Sequence, residues 1–206
     1  LGLYNRQSVD VVAVRYSMTS SSDYSQFRIL AAPDGGIKSA GDLANVPIAV
    51  SEGTVIDYVT CRLLQAEGIA AESIKTVAVP NIASRMALLQ SGQIKAATLP
   101  EPLASLAEKQ GASAVFDQGP HSKFLCAVFA FRASYELENK DAVRAFVRAV
   151  DKASRTINKD PLAYRKLASQ WRLIPPDLKA DFTPPTYPVA AIPTRDQFND
   201  AVDWLQ

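Results

Sequence analysis

The sequence predicts an α/β fold, and three observations carry that expectation. Apolar runs alternate with segments of helical periodicity between residues 27 and 116, the links between them are only a few residues long, and glycine stands where several of the helices should stop. Strand, helix and strand in that order with short connections imply parallel strands flanked by helices on both faces.

The elements follow in order. Val9 to Val14 reads as a strand, with Asp10 among valines, and Arg15 to Asp23 as a serine-rich loop. Phe27 to Ala32 is a second strand, halted by the turn sequence Pro33-Asp-Gly-Gly36. Ser39-Ala-Gly-Asp42 opens a short helix, and Pro47 to Val50 is a strand. From Val55 to Glu67 a helix puts Ile56, Val59, Thr60, Leu63 and Leu64 on one face and stops at Gly68.

Lys75 to Val79 is a strand, Ile82 to Gln90 a helix closed by Gly92, and Ile94 to Leu99 a further strand. Pro102 to Gln110 is a helix stopped by Gly111, followed by a short strand at Ala114 to Phe116. The eight-residue apolar run Phe124 to Phe131 is a buried strand, far short of the roughly 20 residues a membrane-spanning helix needs. Asp141 to Asn158 forms a long helix with Val143, Phe146, Val147, Val150 and Ile157 on its apolar face, and Pro161 to Trp171 another. Pro175-Pro176 and Pro184-Pro185 break the pattern before a last helix that begins at Thr194 with Gln197 completing a capping box.

Composition narrows the function. Of 206 residues 48% are hydrophobic, and 22 basic side chains nearly cancel 21 acidic ones, so no electrostatic footprint for nucleic acid exists. Cys61 and Cys126 lie too far apart in sequence for a zinc motif, and buried free cysteine is commoner than a lone bridge. The only histidine, His121, sits on a turn without a partner motif, which disfavours a catalytic triad. No catalytic residue, metal site or cofactor is expected. Leu1 in place of Met fits a processed or truncated product.

What remains is a ligand site built from strand ends. Ser51, Glu52, Gly53 and Thr54 follow one strand and precede a helix, where backbone N–H groups lack intrahelical partners. Gly53 allows close approach, and the hydroxyls of Ser51 and Thr54 can donate or accept. Thr54 is equally an N-cap, with Asp57 completing a box. Asn81 repeats the arrangement as ligand contact or N-cap, and Thr98 to Glu101 supplies a third strand end, with Glu101 fixed between prolines. Tyr16 and Ser17 after the first strand, with Tyr24 and Phe27 as an aromatic wall, are further candidates. Glu52, Asp57 and Glu101, with Arg85 turned toward solvent, favour a neutral or amine-bearing ligand over an anion.

The segments Gly36-Ile-Lys-Ser-Ala-Gly-Asp42-Leu, Ile48-Ala-Val-Ser-Glu-Gly53-Thr54, Ala87-Leu-Leu-Gln-Ser-Gly92-Gln-Ile and Pro100-Glu-Pro102 occur in an order and spacing more specific than any one of them. Together with Phe146-Val-Arg-Ala-Val150 and Ile157-Asn-Lys-Asp-Pro161, they make the chain resemble the periplasmic substrate-binding proteins of ABC importers. The branch is the NMT1/THI5-like, or SsuA/TauA-like, one associated with nitrate, sulfonates, taurine and thiamin-pyrimidine precursors, and the likeness runs from about residue 9 to residue 170. Lys95 departs from the aspartate common there.

The resemblance implies a two-lobe type II periplasmic-binding-protein fold, with mixed sheets flanked by helices and the ligand between the lobes. One lobe would combine residues 1–33 with 126–206 and lack its N-terminal portion, and the other would be residues 34–125. Phe27 to Ala32 and Phe124 to Phe131 would be the crossing strands and hinge candidates. The implied role is capture of a small organic molecule, a pyrimidine, a sulfonate or a related compound, and its delivery to an ABC permease. The implied location is periplasmic or extracellular, with a lipid anchor as one form. Two other readings are a ligand-sensing module of a regulator or receptor, and a thiamin-pyrimidine synthase-like enzyme. The enzyme would need iron and a cysteine-rich segment, and no such segment occurs in a sequence with two distant cysteines and one histidine.

Overall fold

The computed structural model describes residues 10–121, 123–124 and 127–205. Seven strands are described: β1 (Val11–Met18), β2 (Phe27–Ala31), β3 (Pro47–Val50), β4 (Lys75–Ala78), β5 (Ala96–Pro100), β6 (Ser113–Asp117) and β7 (Ala127–Arg132). The α-helices are α1 (Val55–Ala66), α2 (Ile82–Gln90), α3 (Leu103–Lys109), α4 (Ala133–Glu138), α5 (Lys140–Lys159), α6 (Pro161–Gln170) and α7 (Arg195–Trp204). Among the described residues no helix is long and apolar enough to cross a membrane. The chain divides into two compact units: unit 1 is Leu1–Thr19, Leu125–Gln170 and Thr183–Gln206, and unit 2 is Ser20–Phe124 with Trp171–Phe182.

Unit 2 is built on a five-stranded mixed sheet in the order β4-β3-β5-β2-β6. The parallel arrangement expected from strand-helix-strand alternation holds where β3 pairs with β4 and with β5. It breaks at β2, which runs antiparallel to both of its neighbours, β5 and β6. The physical reason lies in the connection: α3 carries the chain from β5 to β6 across one vacant slot, and β2, with no crossover helix joining it to either neighbour, fills that slot in the opposite direction. Residues 20–33, the Phe27–Ala31 strand among them, therefore lie within unit 2, as do residues 171–182.

Helix α1 buries the face that its periodicity marks out: Ile56, Val59, Thr60, Leu63 and Leu64. On the sheet itself, Leu30, Ala49, Ala97 and Leu99 pack with Leu89, Ala104 and Ala107 in one apolar cluster. Each fully buried leucine contributes about 1.5–3 kcal/mol relative to its exposed state.

In unit 1, β1 and β7 pair antiparallel, with register shifts between Ala13 and Arg15 and between Tyr16 and Met18. The strand expected to stop at Val14 continues through Tyr16 and Ser17, so these two residues lie inside β1 rather than beyond its end. Arg15, which reads as the start of a loop, is buried because its Nη2 donates to Asp151 Oδ1 at 2.7 Å and to the Pro188 carbonyl at 2.6 Å. Phe146 of α5 meets the rings of Phe129 and Phe131 edge-on, at 5.2 and 5.4 Å between centroids. The capping box of Thr194 and Gln197 starts α7 as expected. Val9 and Cys126, with any Cys61–Cys126 bridge, lie outside the described residues.

The loop after β6 passes close to the serine-rich segment. A Cβ added at Gly119 would sit 3.0 Å from both the Ser21 carbonyl oxygen and Ser25 Oγ. Gly119→Ala is therefore expected to destabilise unit 2 by about 1–3 kcal/mol, as overpacking of a filled site does. Urea unfolding of the full chain measures it, and an unchanged midpoint would show that the backbone there gives way freely.

Candidate functional site

Parallel pairing gathers the C-terminal ends of β3, β4 and β5 on one edge of unit 2. Val50 is level with Ala78, and Ala49 with Ala97. Ser51 to Thr54, Asn81 and Thr98 to Glu101 thus share that edge although they are distant in sequence. The start of β2 arrives at the same edge, because Phe27 pairs with Pro100 and the Glu101 N–H donates to the Gln26 carbonyl at 2.9 Å.

One side chain ties the three strand ends together. The expectation that Arg85 points to solvent is wrong: it is fully buried, at 0% exposure. Its Nε and Nη2 donate to the Val79 carbonyl at 2.9 and 2.7 Å, its Nη1 to the Thr98 carbonyl at 2.8 Å, and its Nη2 also to Ser51 Oγ at 2.5 Å. All of these acceptors are neutral. Burial lowers the pKa of the guanidinium, yet an arginine stays charged, so a positive charge with no carboxylate partner among the described residues sits beneath the edge.

The loop after β3 is arranged around a helix start. Gly53 has φ +68, in the left-handed region, which turns the chain into α1. Thr54 caps the helix: its Oγ1 accepts from the Ile56 N–H at 3.2 Å and donates to the Ser51 carbonyl at 2.6 Å. Asp57 reaches back to the Gly53 N–H at 2.9 Å, one residue short of the box expected with Thr54. Burial raises the Asp57 carboxyl pKa, the Gly53 bond works against that, and Glu52 adds to the rise. Glu52, Gly53 and Thr54 are exposed, and Ser51 is half-buried.

The other candidates divide. Asn81 is exposed and caps α2, its Oδ1 accepting from the Ser84 N–H at 2.9 Å. Thr98 is fully buried, its hydroxyl 2.6 Å from that of Thr60 on α1. Glu101 is held by Arg28 at 2.5 Å and by Ser105 Oγ at 2.8 and 3.0 Å, with its side chain 4% exposed. Burial raises the Glu101 pKa, and the neighbouring Arg28 works against the rise. Arg28 also pairs with Glu108 at 2.9 Å and Asp117 at 3.3 Å. Burial works to lower the Arg28 pKa, and these three carboxylates outweigh it and raise the value. Glu101 is thus a member of an internal ion-pair cluster. Tyr16 and Ser17 belong to unit 1, where Tyr16 is buried and its hydroxyl donates to Gln197 Oε1 at 2.6 Å.

Sequence reading missed a second polar group at this edge. Ser20, Ser25, Gln26 and Gln118 are all buried, with Ser20 Oγ donating to Gln118 Oε1 at 2.5 Å and Ser25 Oγ accepting from the Gly119 N–H at 2.7 Å. The available signal was the polar run Ser20 to Gln26 leading directly into an apolar strand, a pattern that also describes an ordinary loop.

A family model described as NMT1-like matches residues 15–172. The fold is similar to that of the periplasmic aliphatic sulphonate binding protein SsuA from Escherichia coli, with a TM-score of 0.78 and 20% identity over 98% of this chain and 70% of that one. It is similar as well to the alkanesulfonate-binding protein SsuA from Xanthomonas axonopodis pv. citri bound to MOPS, with a TM-score of 0.72 and 18% identity. That match covers 87% of this chain and 61% of the other, so this chain spans less than two thirds of that protein's length. The desulfurization enzyme DSZB shares the fold at a TM-score of 0.67 and 14% identity, over 98% of this chain and 74% of the enzyme. Among curated proteins nothing matches.

Two outcomes follow from the geometry. Arg85→Met leaves the Val79 and Thr98 carbonyls without their buried donor, and a loss of about 1–3 kcal/mol is expected in urea unfolding. Arg85→Lys should recover little of it, since one ammonium cannot replace the fork. For Asp57, a raised carboxyl pKa in the folded state means that the folded form holds the proton more tightly than the unfolded one. Its contribution is greatest at low pH and is lost as pH rises from the ordinary carboxylate value through the raised one. Asp57→Asn keeps an acceptor for Gly53 and should flatten that decline, gaining stability at neutral pH and converging with the parent in acid. Thermal unfolding across pH 3 to 8 checks the sign.

Proposed function

The chain belongs to the NMT1-like family, and from that premise we propose that it is an extracytoplasmic solute-binding protein that takes a small organic anion at the strand-end edge of unit 2 and passes it to an ABC permease. The observation that carries this reading is the buried Arg85, which has no carboxylate partner among the described residues. A charge desolvated beneath polar strand ends attracts a negative ligand more strongly than the same charge in water. The half-buried Ser51 hydroxyl takes a hydrogen bond from Arg85 at this edge, and Gly53 leaves room for a ligand to approach the backbone.

The acidic residues that favoured a neutral or amine-bearing ligand weigh less in the folded chain. Glu101 is paired with Arg28 and with the Ser105 hydroxyl rather than free to face a ligand, and burial disfavours the charge on Asp57. Glu52 remains exposed, where solvent screens it. An alkanesulfonate fits this balance: one compact negative group with three acceptor oxygens for N–H donors, on an apolar tail. Binding followed by release of the unchanged molecule is the proposed activity, and the likeness to a desulfurization enzyme concerns fold only.

Thermal shift with an alkanesulfonate, with nitrate and with an aminopyrimidine tests the reading. A ligand present at about 100 times its Kd should stabilise the folded chain by about 2.7 kcal/mol. The sulfonate is expected to do so and to be recovered chemically intact. Stabilisation by the aminopyrimidine alone would refute the anion assignment, and conversion of the sulfonate would replace capture by catalysis.

A further inference from the structure

Helix α5 has two faces of opposite character. Val143 and Ser154 are buried, and Phe146 packs on β7. On the other side, Arg148, Lys152, Arg155 and Lys159 are exposed and succeed one another at intervals of four, three and four residues. At 1.5 Å of rise per residue the four cations extend over about 16 Å of one helical stripe. With Asp151 and Thr156 they line a shallow groove of about 450 Å³.

Among the described residues of unit 1 no ion pair balances this stripe. Asp151, the one acid in the groove, gives Oδ1 to buried Arg15 and to the Ala190 N–H at 2.9 Å. Asp141 pairs with Arg144, and Asp160 accepts from the Ala163 N–H at the start of α6. None of the four cations has an ion-pair partner among the described residues. Like charges three and four residues apart destabilise a helix, and here three such pairs follow in succession. The stripe does not reflect a basic chain, since 22 cationic residues face 21 acidic ones overall.

We propose that the α5 groove is a second binding site, for an anion that carries two or more phosphate groups. Such a ligand converts the repulsion along the stripe into attraction at several points. Two arginine forks at positions 148 and 155 match phosphate oxygens in pairs, with lysine at 152 and 159 as point charges between and beyond them. A single phosphate could span only part of the stripe. The shared chemistry is met by a soluble polyphosphate or by neighbouring headgroups of an anionic lipid.

The test uses the full chain and two probes: tripolyphosphate, followed by calorimetry, and vesicles of phosphatidylcholine with or without phosphatidylglycerol, followed by co-sedimentation. The triple variant Arg148→Gln, Lys152→Gln, Arg155→Gln is compared with Lys38→Gln, Lys75→Gln, Lys95→Gln, which removes the same charge from exposed positions in unit 2. Saturable binding is expected for at least one probe, weakened at least about tenfold by the α5 triple and far less by the control. Far-UV circular dichroism and urea midpoints verify that both variants fold. Binding of tripolyphosphate alone identifies a soluble ligand, and binding of anionic vesicles alone identifies a lipid surface. Failure of both probes to bind, or an equal loss in the two triples, overturns the site.

Discussion

The polar edge of unit 2 depends on one guanidinium. Arg85 reaches from α2 to the ends of β3, β4 and β5 and satisfies backbone carbonyls of two of those segments together with the Ser51 hydroxyl of the third. A parallel sheet leaves its strand ends as separate loops, each free to move by itself. A fork with several donors holds them in one register, and only arginine has that geometry. The charge is costly to bury, and it is retained where three unrelated loops must keep a common arrangement.

Arg28 and Arg85 of unit 2 show how context sets the meaning of a charge. Arg28 is half-buried among Glu101, Glu108 and Asp117, so its field is more than cancelled locally. Among the described residues Arg85 donates only to neutral oxygens, so its field remains. Residue type distinguishes neither case, because each depends on which side chains the sheet order brings close. Glu101 lies beside Arg28 only because β2 pairs with β5.

Legibility in the sequence follows the range of the interaction involved. Helix α1 was readable to within a residue because its buried face, its Thr54 cap and its glycine stop are all local. The edge formed by residues 51–54, 81 and 98–101 was readable too, since parallel strands joined by helices must end together. The continuation of β1 past Val14 was hidden because Arg15 is a strand residue only through Asp151, far along the chain. The antiparallel entry of β2 was hidden for the same reason, as pairing partners beyond a crossover leave no local trace. The short helix α4 before α5 carried no periodic face for a pattern to reveal, and none of its residues is buried.

The position of β2 bears on how this protein can be dissected. A cut between Pro33 and Asp34 looks harmless in a sequence that reads as a new globule from residue 34, yet it would remove an inner strand and strip the facing edges of β5 and β6. Bare inner edges are templates for intermolecular pairing, so a fragment begun at that turn would trade its missing strand for self-association. An excised globule that stays monomeric must carry the serine-rich approach and the strand it delivers.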